Sequence, residues 1–186
     1  MANKDAAFGL KAIGKVGQNR DNQGLSEYSI AASATAIYQW DPVEMLATGT
    51  IGVAAAGDVL IGSLNGVFYT DASTSKPTWA NHLAASNTAT DIVGFISDDP
   101  YERFEVQSAG TVAAADIGLC ADIAYTAGSS PDYISKTEIS GTMAATAAQL
   151  KIIGVSKDPD NDELGAANAN VIVTINEHFL KQTAGI

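Results

Sequence analysis

Charge is scarce in this chain, and positive charge scarcer still: charged residues make up 17% of the sequence, with ten basic side chains against 21 acidic ones. The resulting net charge of −11 repels phosphate backbones and anionic lipid, which excludes nucleic-acid binding through a general basic surface. Cysteine occurs once, as Cys120 in ADIGLCAD. No intrachain disulfide is possible, so stability has to come from packing or assembly. The neighbours of that thiol are small or apolar and supply no base, the setting of a buried structural cysteine rather than a nucleophile. Histidine occurs twice, as His82 and His178, in neither H-x₃-H nor HExxH spacing, so no metal site is expected. No apolar run approaches the roughly 20 residues that span a bilayer. The opening MANKDAAFG lacks the apolar core of a signal peptide, and the expected product is soluble and made in a cytoplasm.

What is abundant is Ala, Gly, Ser and Thr, a composition of short strands and turns rather than long salt-bridged helices. A chain of 186 residues fits one domain, or one domain with an arm, and can bury roughly 70% of its unfolded surface. Residues 1–36 show no sustained period and read as an extended N-terminal arm, with a β-rich body over 37–186. Within the arm, Lys4, Lys11, Lys15 and Arg20 face only Asp5 and Asp21, a local positive balance suited to an interaction arm.

Strand signals dominate the body. VLIGSL (59–64) and VFYTD (67–71) flank Asn65-Gly66, the pair favoured in a two-residue type I′ hairpin. DIVGFIS (91–97) and RFEVQS (103–108) flank Asp99-Pro100-Tyr101-Glu102, where Asp at the first position and Pro at the second favour a type I reversal. Phe104 and Val106 share one face, and Asp98 and Glu102 fall outside the strands, where a carboxylate stays hydrated. AQLKIIGVS (148–156) and NVIVTINEHF (170–179) form a third pair, with Val171, Val173 and Ile175 on one stripe. IVGFI and KIIGV are apolar on both faces, which places them between two layers or between one subunit and a neighbour. TAAQL and TVAAADIG offer only a helical or 3₁₀ turn. The expected fold is mainly β, a compact antiparallel barrel or sandwich whose few short helices are incidental.

Reactive constellations are hard to find. GLKAIGKV (9–16) has the glycines and lysine of a phosphate loop, but Val16 stands where Ser or Thr would hold magnesium, and no strand precedes it. Asp158, Asp160 and Asp162 alternate like the start of a calcium loop, yet Glu163 and Ala169 occupy the positions of its required glycine and bidentate glutamate. Asp98 and Asp99 would need one partner desolvated to act as an acid/base pair, and adjacent turn residues usually both face water. No G-x-S-x-G elbow occurs. Trp40, Trp79, Phe68, Tyr69, Tyr101 and Phe104 could line a sugar groove, although aromatics buried between strands are commoner. The chain is therefore expected to be no enzyme, with no cofactor.

The ordered strings MANKDAAFGLKAIGKVG, NGVFYTD, KPTWA, DDPYERFEVQS, GTVAAADIG and AQLKIIGVSKDPDNDELGAANANVIVTINEHF resemble those of the capsid decoration, or cement, proteins of tailed bacteriophages. DDPY-x-x-FEVQ and the NA-x-V-x-V-x-INEH ending are the most specific. The resemblance implies a structural virion protein, synthesised in the host cytoplasm and seated on the outer capsid surface. Its implied partners are the major capsid protein and itself, as a homotrimer, with neither nucleic acid nor membrane. Within the arm, Phe8, Leu10, Lys11, Lys15 and Arg20 are the expected capsid contacts, and removal of residues 1–24 is expected to leave the body folded. A carbohydrate- or receptor-binding head fibre or tail component is the alternative.

Overall fold

The computed structural model describes residues 2–17 and 24–181, and among these described residues alternating apolar residues and Gly, Asn and Asp breakers mark out thirteen strands. In chain order they are β1 (Lys11–Lys15), β2 (Ser26–Ser29), β3 (Pro42–Met45), β4 (Ile51–Val53), β5 (Leu60–Thr70), β6 (Pro77–Ala80) and β7 (Val93–Ser97). There follow β8 (Glu102–Gln107), β9 (Cys120–Ala121), β10 (Ile123–Ala124), β11 (Glu138–Ile139), β12 (Leu150–Val155) and β13 (Asn170–Ile175). Among the described residues helix is confined to 3₁₀ turns at Ala114–Asp116, inside TVAAADIG, and Phe179–Lys181.

The strands build a five-stranded sheet in the order β1-β8-β13-β12-β9 and a second sheet in the order β2-β7-β5-β3-β4, to which β6 adds along β5. The ladders between these strands are antiparallel, and β10 and β11 form a separate ribbon. The fold is thus mainly β, as its composition requires, and compatible with a sandwich. It is not a closed barrel: the two edges of the second sheet, at β2 and β4, are linked by the isolated bridge of Ile30 to Ile51, which does not extend into a ladder.

Each sheet covers its own core. Phe104, Val106, Leu150, Ile152, Val171 and Val173 pack with Leu10 beneath the first, while Ile37, Val43, Ile61, Leu64, Val67 and Ile96 fill the second. β5 is shared, because alternation sends Leu60 into one core and Ile61 into the other. The strand buried on both faces is therefore LIGSL. IVGFI and KIIGV, expected to be covered twice, turn Val93 and Phe95, or Ile153, outward.

Local signals resolve unevenly. The β12–β13 pair forms as the stripes require, with Leu150 opposite Ile175 and Val155 opposite Val171. Asn65-Gly66 is not a hairpin turn: β5 runs straight through it, with a bulge between Leu64 and Gly66 against β7. Gly66 serves a close approach instead, since a Cβ there would lie 2.7 Å from Cζ2 of Trp79. The reversal comes at Asp71–Lys76, where Asp71 Oδ1 accepts the Ser73 and Thr74 amides at 3.0 and 2.8 Å. The Asp99 turn also forms, its carbonyl accepting the Glu102 amide at 2.9 Å. It does not join paired strands, however, because β7 belongs to the second sheet and β8 to the first.

The segment expected to stand apart as an arm is extended but laid into the body over its described length. β1 pairs with β8 and β2 with β7, while Leu10 and Ile30 are buried. Ahead of β1, Gln107 donates to the Lys4 carbonyl at 2.8 Å and accepts the Ala6 amide at 2.9 Å. Asn161 donates to the same carbonyl at 2.7 Å. Removing residues 1–24 would therefore strip a strand and a core leucine from the body.

Candidate interaction surface

The three carboxylates around Pro100 sit where the two sheets meet, and each holds a different piece of chain. Asp98 accepts the hydroxyls of Ser26 at 2.9 Å and Tyr28 at 2.7 Å, pinning β2 to the corner. Asp99 pairs with Lys15 of β1 at 2.7 Å, with both side chains largely enclosed. Glu102 was expected in water, yet it opens β8 at 7% exposure and accepts the Gly14 amide at 3.2 Å. Burial pushes its carboxyl above the ordinary glutamate value, partly offset by Lys15 and by that amide. Gly14 lies beside the β1 bulge with φ of +146°, a conformation open to glycine that aims its N–H at Glu102. The arrangement clamps β1 and β2 onto one turn.

Around this clamp, large apolar side chains stand exposed among polar ones. Ile13, Val16, Leu25, Tyr101 and Leu180 are all exposed, Val16 by 50% and Tyr101 by 57%. Shallow clefts run between them, floored by Lys15, Asp99 and Pro100. The amide of Val16 donates to the Tyr101 carbonyl at 2.9 Å, and the Lys181 ammonium lies 4.8 Å above the Tyr101 ring. Beneath them His178 is fully buried, its Nδ1 accepting the Leu180 amide at 3.1 Å. Burial first, and the nearby Lys181 charge second, lower its pKa to about 4, so it is neutral at physiological pH. Covering five exposed large apolar side chains would release the water that hydrates them.

The expected contact residues scatter around this face. Lys11 is exposed, with its ammonium 5.6 Å from the Trp40 ring, and Phe8 packs edge-on to the same ring at 6.4 Å. Lys15 lies within the clamp. Leu10 is a core residue, with no exposed surface to offer a partner, and Arg20 lies outside the described residues. Reading the chain alone missed Val16, Leu25 and Leu180, since an exposed leucine or valine carries no motif. Tyr101 was noticed only as one aromatic among many.

A second exposed apolar area lies on the outer face of the second sheet, where Phe68 and Trp79 are cross-strand neighbours on β5 and β6. The Trp79 and Phe95 rings are 4.8 Å apart and tilted by 52°. The acidic loop is a local structure in which Asp158 Oδ1 accepts the Asp160 amide at 3.1 Å and Asp160 pairs with Lys4. Among the described residues no group of three His, Cys, Asp or Glu side chains is placed to hold a metal ion, and no helix is long and apolar enough to cross a membrane. No family model, curated protein or solved structure matches this chain.

Proposed function

We propose that this chain is a structural virion protein that binds the outer surface of a phage capsid, as a homotrimer, and stabilises the shell. The observation that carries the reading is the apolar corner of Ile13, Val16, Leu25, Tyr101 and Leu180, taken with the ordered strings that resemble decoration proteins. A protein that holds a shell together needs area and symmetry rather than a reactive pocket. A rigid corner fixed by Asp98, Asp99 and Glu102 suits that task, because little ordering entropy is lost when it docks. In this reading the carboxylates position backbone and perform no covalent chemistry.

The test is occupancy on purified shells that lack the protein, compared between wild type and a Val16→Asp/Tyr101→Ser double variant. Both side chains are exposed, so the variant should melt like wild type yet bind about tenfold or more weakly. Equal occupancy would remove the corner as the contact, and failure of the wild type to bind any shell would remove the reading itself. The exposed Phe68 and Trp79 pair favours one rival, a sugar platform in a receptor-binding virion component. Glycan binding that disappears in Trp79→Ala would support it.

A further inference from the structure

The outer face of the five-stranded sheet carries charge of the wrong sign for this molecule. Alternation points Arg103 and Glu105 of β8, Ile172 of β13, and Lys151 and Ile153 of β12 away from the core, beside Lys11 of β1. Arg103 and Lys151 both oppose Thr174 in the ladder, and Lys11 opposes Glu105, so these groups lie on neighbouring rungs of one surface. Three cations against one carboxylate make the patch positive in a chain of net charge −11. Among the described residues none of the three forms an ion pair, although acidic groups outnumber basic ones two to one. The Arg103 Nε also has no acceptor. Ile153, 39% exposed, supplies apolar area on the same face.

We propose that this sheet face is the surface on which a second copy of the chain docks, head to tail, through an acidic region elsewhere on that copy. Charge complementarity selects the occupant, since outside the patch the molecule is more acidic than its net charge states. Closed rings of odd order require heterologous contacts, in which each subunit uses two different surfaces, and a molecule with one positive patch on an acidic body meets that condition. Repulsion between whole subunits is screened beyond about 8 Å at physiological salt, so contact-range pairing decides the outcome. The inference rests on the self-association within the proposed function, but it needs no shell to be tested.

The experiment is sedimentation velocity on the full chain across a concentration series, for wild type, a Lys11→Glu/Lys151→Glu variant and a Lys76→Glu/Lys157→Glu control. The control carries the same change in net charge at exposed lysines outside the patch. Wild type and control should assemble alike, and the face variant should dissociate at about tenfold or more higher concentration. Ile153→Gln, which leaves all charges in place, should weaken assembly in the same direction. A face variant that assembles like the control would overturn the proposal. So would one that assembles normally while losing shell binding, since the face would then belong to the shell. A monomeric wild type would remove self-association from both readings, whereas assembly through this face without shell binding would leave this inference standing and the capsid role refuted.

Discussion

Replacing Asp41 by asparagine should stabilise the protein at neutral pH and change how its stability depends on pH. Asp41 is fully buried, accepts the Tyr38 amide on Oδ2 at 2.8 Å, and leaves Oδ1 without a hydrogen-bond partner. Burial raises its carboxyl from the ordinary 3.8 to about 6, against the opposing influence of Ser135, Tyr38 and Tyr125. A native pKa above the unfolded one contributes stability that is complete below pH 3.8 and is lost as pH rises through 6. The shift corresponds to a penalty on the order of 3 kcal/mol once the carboxylate is charged. Asparagine keeps the acceptor for Tyr38 and has no charge to desolvate. His178 works in the opposite sense, because its lowered pKa gives stability that is complete above 6.5 and lost as pH falls through about 4. The two nearly cancel in wild type, so the informative quantity is the difference between wild type and variant. Urea unfolding of both between about pH 4 and pH 8 should show the variant gaining about 2–3 kcal/mol relative to wild type as pH rises. A difference independent of pH, or one that shrinks toward alkaline pH, would refute the assignment of a strained buried carboxyl.

Three further substitutions probe the packing. Gly62→Ala places a Cβ 1.9 Å from the Ser97 carbonyl oxygen, which must push β5 from β7, so a loss of about 3 kcal/mol or more is expected in thermal or urea melts. Gly154→Ala, where nothing lies within 4 Å, should stay within about 0.5 kcal/mol. Leu10→Ala should cost about 2–5 kcal/mol by the same measurement. A surface-like effect there would restore Leu10 as a contact residue.

The strand content, the Asp99 reversal and the β12–β13 pair were legible in the sequence because each depends on neighbours along the chain. The alternation of Val171, Val173 and Ile175 sets a face, and Asp99-Pro100 sets a turn. Which strands pair across the rest of the chain was not legible. β7 and β8 flank a good turn but enter different sheets, and β5 continues through Asn65-Gly66 with a bulge against β7, where Trp79, thirteen residues beyond Gly66, packs against that glycine. The candidate surface was half visible: Tyr101 and the lysines drew notice, whereas the apolar corner and the unpaired cations of Lys11, Arg103 and Lys151 exist only after β1, β8 and β12 come together.

Composition and local pattern alone settled that this chain would be strands and turns, acidic and without disulfides, since those properties follow from residue types and short-range sterics. Tertiary structure decided that the N-terminal segment is a strand of the body, that Glu102 is buried, and which side chains face outward. Those outcomes depend on contacts between residues far apart in the chain, and no local preference encodes them.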